Sequence, residues 1–74
     1  MRLRNRVRER REQARISQHE LSRMTGLSRM TIRAVERDDG YEPLATVMTV
    51  LCAALNDAEL FWWERSESAE WVPT

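Results

Sequence analysis

The stretch LSRMT occupies residues 21–25 and recurs at 27–31, with Gly26 between the copies. In one continuous helix a six-residue shift would rotate the second copy by about 240° from the first. The glycine argues for a break instead, because it accepts the left-handed backbone of a tight turn. Both sides carry start signals. Ser17-Gln18-His19-Glu20 reads S-x-x-E, a capping box, and Ser28 follows the turn as a second N-cap. The pattern predicts a helix over about 18–24, a turn at Gly26 and a helix over about 29–37. Leu21 and Met24 face inward in the first copy. In the second, Leu27 plugs the turn, and Arg29, Met30, Arg33 and Ala34 lie on an exposed face opposite Ile32 and Val35. Two short helices around such a turn form a helix-turn-helix pattern, in which the second helix can present its N-terminal residues to the major groove of DNA.

The flanking sequence also reads as helical. Leu3, Val7 and Ala14 share one face of a first helix over roughly 2–14. Asp38-Asp39-Gly40-Tyr41-Glu42 is rich in turn formers, and Pro43 suits the first turn of a fourth helix. Leu44, Val47, Met48, Leu51, Cys52 and Leu55 form the stripe of that helix. Asn56-Asp57 stops it and caps a short fifth helix from Ala58 to about Glu64. No strand signal stands out. The expectation is an all-α, five-helix domain over 1–64 with a polar tail over 65–74.

The zero formal charge conceals a division. Residues 1–37 contain eleven arginines against Glu9, Glu12, Glu20 and Glu36; residues 38–74 contain Arg65 against eight acids. Arginine's planar fork matches phosphate oxygens and guanine edges, so the basic half points to double-stranded DNA and the acidic half to a side held away from it. One cysteine and one histidine exclude the usual zinc spacings and a disulfide framework. No paired acid–base set or phosphate-cradling glycine loop is present, so no catalytic, metal or cofactor role is expected. No apolar run reaches membrane-spanning length and no signal peptide is visible, which points to the cytoplasm. Cys52 reads as a core residue and His19 as a surface one.

ISQHELSRMTGLSRMTIRAVE resembles the lambda-repressor-like, Xre-type DNA-binding domain. YEPLATVMTVLCAALNDAELFWWE is similar to the fourth and fifth helices of very small regulators of that type, so the resemblance covers about residues 3–64. It implies a five-helix fold, often dimeric on a two-fold operator. Gln18 matches a residue that bonds a backbone phosphate. Arg29 and Met30 match the first base-facing positions, where arginine can bond G O6 and N7 and methionine can touch a thymine methyl. Ser28, Thr31, Arg33, Ala34 and Arg37 complete the expected DNA surface, with Arg4, Arg8 and Arg11 as looser backbone contacts. Two positions depart from the pattern: Arg15 and Asp38 stand where the family often has glycine. A left-handed backbone at Arg15 would cost about 1 kcal/mol.

Leu60, Phe61, Trp62 and Trp63 cannot all face one small core. They are expected to bury against a second copy, another protein partner or the tail with Trp71. The resulting reading is a prokaryotic or phage repressor binding an inverted repeat as a homodimer. The alternatives are the DNA-binding antitoxin of a toxin–antitoxin pair and a protein-interaction module that has lost DNA binding.

Overall fold

Asn5 decides how the chain begins. Its Oδ1 accepts the Val7 N–H (3.0 Å) and its Nδ2 donates to the Val35 carbonyl (2.9 Å). An Asn side chain that bonds the backbone two residues on competes with helix formation, and here it ends an extended segment. In the computed structural model, which describes residues 1–65, strand β1 (Arg2–Asn5) precedes helix α1 (Val7–Gln13). The expected single helix over 2–14 is therefore a strand and a shorter helix. Leu3 and Val7 are buried as anticipated, but Ala14 is exposed.

Helices α2 (Gln18–Thr25) and α3 (Arg29–Glu36) follow the cap signals. Ser17 Oγ accepts the Glu20 N–H (3.0 Å), and the Glu20 carboxylate accepts the Ser17 N–H (3.3 Å), completing the capping box. Gly26 is left-handed (φ 76°). Ser22 Oγ donates to the Leu27 carbonyl (2.5 Å), and Thr25 Oγ1 accepts the Leu27 N–H (3.2 Å). These bonds draw the turn against α2, so Leu21 is buried while Met24 turns outward, 55% exposed. Met24 was expected inside; the inward neighbours of Leu21 are instead Ser22 and Thr25, both half-buried.

Helix α4 (Ala45–Ala54) places Leu51 in the core beside Val47, Cys52 and Ala54, with Leu55 buried at its C-cap. Leu44, at its N-cap, lies outside the helix and is 74% exposed. Asn56 then takes a left-handed conformation (φ 51°), and Asp57 Oδ1 accepts the Glu59 N–H (2.9 Å). That Asx turn leads into strand β2 (Phe61–Glu64), not into the expected fifth helix. β2 pairs antiparallel with β1, in the register Arg2 to Glu64, Leu3 to Trp63, Arg4 to Trp62 and Asn5 to Phe61. Four helices and a two-stranded ribbon thus replace five helices. The core cluster joins Val7, Leu21, Ile32, Val35, Leu51, Leu55 and Leu60. Trp71 and the tail beyond Arg65 lie outside the described residues.

Candidate nucleic-acid interface

The presenting surface is built from α3 outward. Ile32 and Val35 are buried, which fixes the helix's rotation. The opposite side then exposes Arg29, Arg33 and Arg37, one turn apart, with Met30 beside Arg29. Met30 is 79% exposed. Ser28 Oγ accepts the Thr31 N–H (3.1 Å) and meets Thr31 Oγ1 (2.9 Å). Ser28 and Thr31 therefore hold the helix start in place, and Ala34, half-buried, keeps the face smooth between the arginines.

The angle of α3 is set from behind. Glu36, whose side chain is 5% exposed, accepts Arg11 Nε at 2.7 Å, Arg11 Nη2 at 3.1 Å and Gln18 Nε2 at 3.0 Å. Arg11 Nη1 also donates to the Ile16 carbonyl (2.8 Å). One carboxylate thus binds α1, α2 and α3 together. Its hydrogen bond to Arg11 is the main reason the guanidinium pKa is raised, against a smaller opposing effect of burial. Bidentate, charge-assisted bonds of this kind impose geometry as well as energy.

This network redistributes the expected phosphate contacts. Gln18 commits one amide hydrogen to Glu36, leaving its carbonyl and second N–H at the start of α2. Arg11 is occupied by Glu36, and Arg4 is paired with Asp38 (2.7 Å) and Glu64 (2.8 Å). Among the described carboxylates, Arg8 meets only the exposed Glu12, at 3.5 Å, and Arg37 only the exposed Asp39, at 3.5 Å. Arg23, Arg29 and Arg33 have no carboxylate within bridging distance among the described residues. Arg8, Arg11, Gln18, Arg33, Glu36 and Arg37 line a groove of about 380 Å³ beside α3. With Glu36 neutralised by Arg11, the groove's remaining charge is positive. A larger hollow of about 780 Å³ lies along α1 and the ribbon, but Glu9, Glu12 and Asp38 share it with the arginines, a mixture poorly suited to a polyanion.

Both departures from the family pattern have visible consequences. Arg15 is left-handed (φ 58°), the conformation for which a glycine is favoured. Asp38 is left-handed as well (φ 51°). Its carboxylate bonds Arg4, and its carbonyl accepts from Arg2 Nη2. The side chain that replaces a glycine there ties the end of α3 to β1, a role that only the observed strand explains.

Of the four residues expected at a dimer interface, Leu60 is instead fully buried in the chain's own core, and Phe61 packs against that core. Trp62 is half-buried, with the Arg6 guanidinium 4.9 Å from its ring centre and that of Arg4 at 6.0 Å. Trp63 is 54% exposed. No group of metal-binding side chains occurs among the described residues, and no helix there is long and apolar enough to cross a membrane.

A capped helix pair around a left-handed glycine, with a basic face on the second helix, defines a helix-turn-helix protein. The model described as Helix-turn-helix, of the Xre/lambda-repressor-like type, matches residues 7–63, and the chain belongs to that family. It is accordingly a DNA-binding regulator of a family that is typically non-enzymatic. A search of the curated proteins finds no match.

Proposed function

We propose that the protein is a sequence-specific repressor that occupies an inverted-repeat operator as a dimer, with α3 in the major groove. The observation that carries this reading is the state of α3. Its N-terminal face offers Arg29, Met30 and Arg33 to solvent without ionic partners among the described residues, while Ile32 and Val35 lock its other side. Arg29 is assigned to a guanine edge and Met30 to a thymine methyl. Arg33, Arg37 and Arg8 are assigned to phosphates beside the groove, and Gln18 to a phosphate at the start of α2. Ser28 and Thr31 cap the helix and can add a phosphate bond. Ala34 admits the backbone closely.

Selection from random duplex DNA, repeated at several salt concentrations, tests the reading. The wild type is expected to enrich a palindrome and to lose affinity steeply with salt. Arg29→Ala is expected to relax preference at one position per half-site, by about 1–3 kcal/mol. Absence of both enrichment and salt-dependent binding overturns the proposal and leaves the exposed aromatic residues as the surface for a protein partner.

A further inference from the structure

The ribbon identifies which of its edges is open. The Arg6 N–H donates to the Leu60 carbonyl (3.0 Å), one step beyond the Asn5 to Phe61 pair of the register. Hydrogen-bonded and non-bonded pairs alternate along an antiparallel ladder. Leu60, Trp62 and Glu64 therefore direct their backbone groups toward β1. Phe61 and Trp63 direct theirs away from it, and no described residue meets them. The Asn5 side chain ties β1 to α3, and those of Arg2 and Arg4 tie it to Asp38 just beyond that helix, whereas the outward edge of β2 has no such tie among the described residues. Natural edge strands are commonly protected by proline, lysine or a bulge. β2 reads Phe-Trp-Trp-Glu: it is short and ends in a charge at Glu64, but its aromatic run carries no proline, lysine or bulge.

We propose that the open edge of β2 pairs antiparallel with β2 of a second copy, forming a four-stranded sheet in the order β1-β2-β2-β1 across a two-fold axis. The proposal deepens the dimeric reading given above. The outward groups select the register. Phe61 must face Trp63 of the other copy, and Trp63 must face Phe61, so that every outward N–H and carbonyl of the two strands finds a partner. Trp62 then lies opposite its own counterpart on the axis, in a non-hydrogen-bonded pair, where side chains approach most closely. The same register brings Glu59 of each copy opposite Arg65 of the other, and both are exposed in one chain alone. The half-exposed Trp63 gains Phe61 as a cross-strand neighbour. A register two residues further on would set Trp63 against itself and leave Phe61 facing Arg65, outside β2. The arrangement is self-complementary, as a closed two-fold interface requires, and it extends a ribbon that two strands alone hold only marginally.

Disulfide trapping tests the register in the full chain. In a Cys52→Ala background, Trp62→Cys is expected to form a covalent dimer under mild oxidation, while Trp63→Cys, displaced from its own counterpart, is expected to stay monomeric on a denaturing gel. Circular dichroism verifies that each variant is folded. A second measurement leaves Trp62 intact. The Trp63 N–H points away from β1, so Trp63→Pro preserves the ladder to β1 and removes one bond to the second copy. Sedimentation equilibrium without DNA is expected to show a dimer for the wild type and for Trp63→Val, and a dissociation constant at least tenfold weaker for Trp63→Pro than for Trp63→Val. Equal dissociation constants, trapping at position 63 in place of 62, or a wild type monomeric at all concentrations would each overturn the edge pairing. DNA selection reads out independently, so a chain that binds a palindrome yet fails these tests keeps the operator reading and loses only this interface.

Discussion

At the scale of single residues, the left-handed Arg15 and Asp38 make opposite trades. Arg15 accepts a strained backbone with no side-chain bond to another described residue, whereas Asp38 accepts the same strain and holds Arg4. Arg15→Gly is therefore expected to stabilise the domain by about 1 kcal/mol, which thermal melting would show as a rise of about 4–8 °C. An unchanged or lower melting temperature would mean that the strain at Arg15 is offset elsewhere. The first of these positions was legible in the sequence as a departure from the family pattern. The second was legible as a departure but not as a contact, because its partner sits on a strand that the sequence did not announce. Gln18 shows the same limit. Its place at the helix start could be read, but its bond to Glu36 joins residues eighteen apart in sequence.

Among the elements, those with end signals were readable and those without were not. Capping serines and Gly26 predict α2 and α3 to within a residue, because caps are local chemistry. The stripe around Leu51 likewise reveals α4. β1 and β2 are only four residues each, too short for alternation to be distinguished from a fragment of helix. Each becomes a strand because the other is present. The Asn5 and Asp57 turns are the local signals that could have separated these segments from neighbouring helices. The Arg11–Glu36 pair is the joint among α1, α2 and α3. Arg11→Met is expected to cost about 3 kcal/mol, since it leaves a nearly buried carboxylate without its ionic partner. Urea denaturation measures it. Arg11→Met with Glu36→Gln should recover part of the loss, and failure to do so would assign the effect to packing of the arginine stem.

Across the whole molecule, the charge division along the sequence is partly cancelled in space. Asp38, Asp57 and Glu64, all of the acidic half, draw their partners from the N-terminal arginines Arg4 and Arg10. The arginines of the helix-turn-helix are left available, so a count of charge by sequence half overstates the number facing DNA. Arg33→Ala is expected to weaken binding to all duplexes alike and to lower the salt dependence by about one unit of slope per subunit. Loss confined to one DNA sequence would instead make Arg33 a base contact.

The ribbon also sets an order in time. Leu3 is synthesised well before its partner Trp63, which emerges almost a whole domain later. The recognition helix can therefore be complete while the ribbon is still open, and closure of so long a loop is the slow, late event of folding. The same pairing is the natural place for opening to begin. Amide exchange should be fastest in β1 and β2 and should slow there as protein concentration rises, so that the lifetime of the regulator in a cell would follow its own abundance.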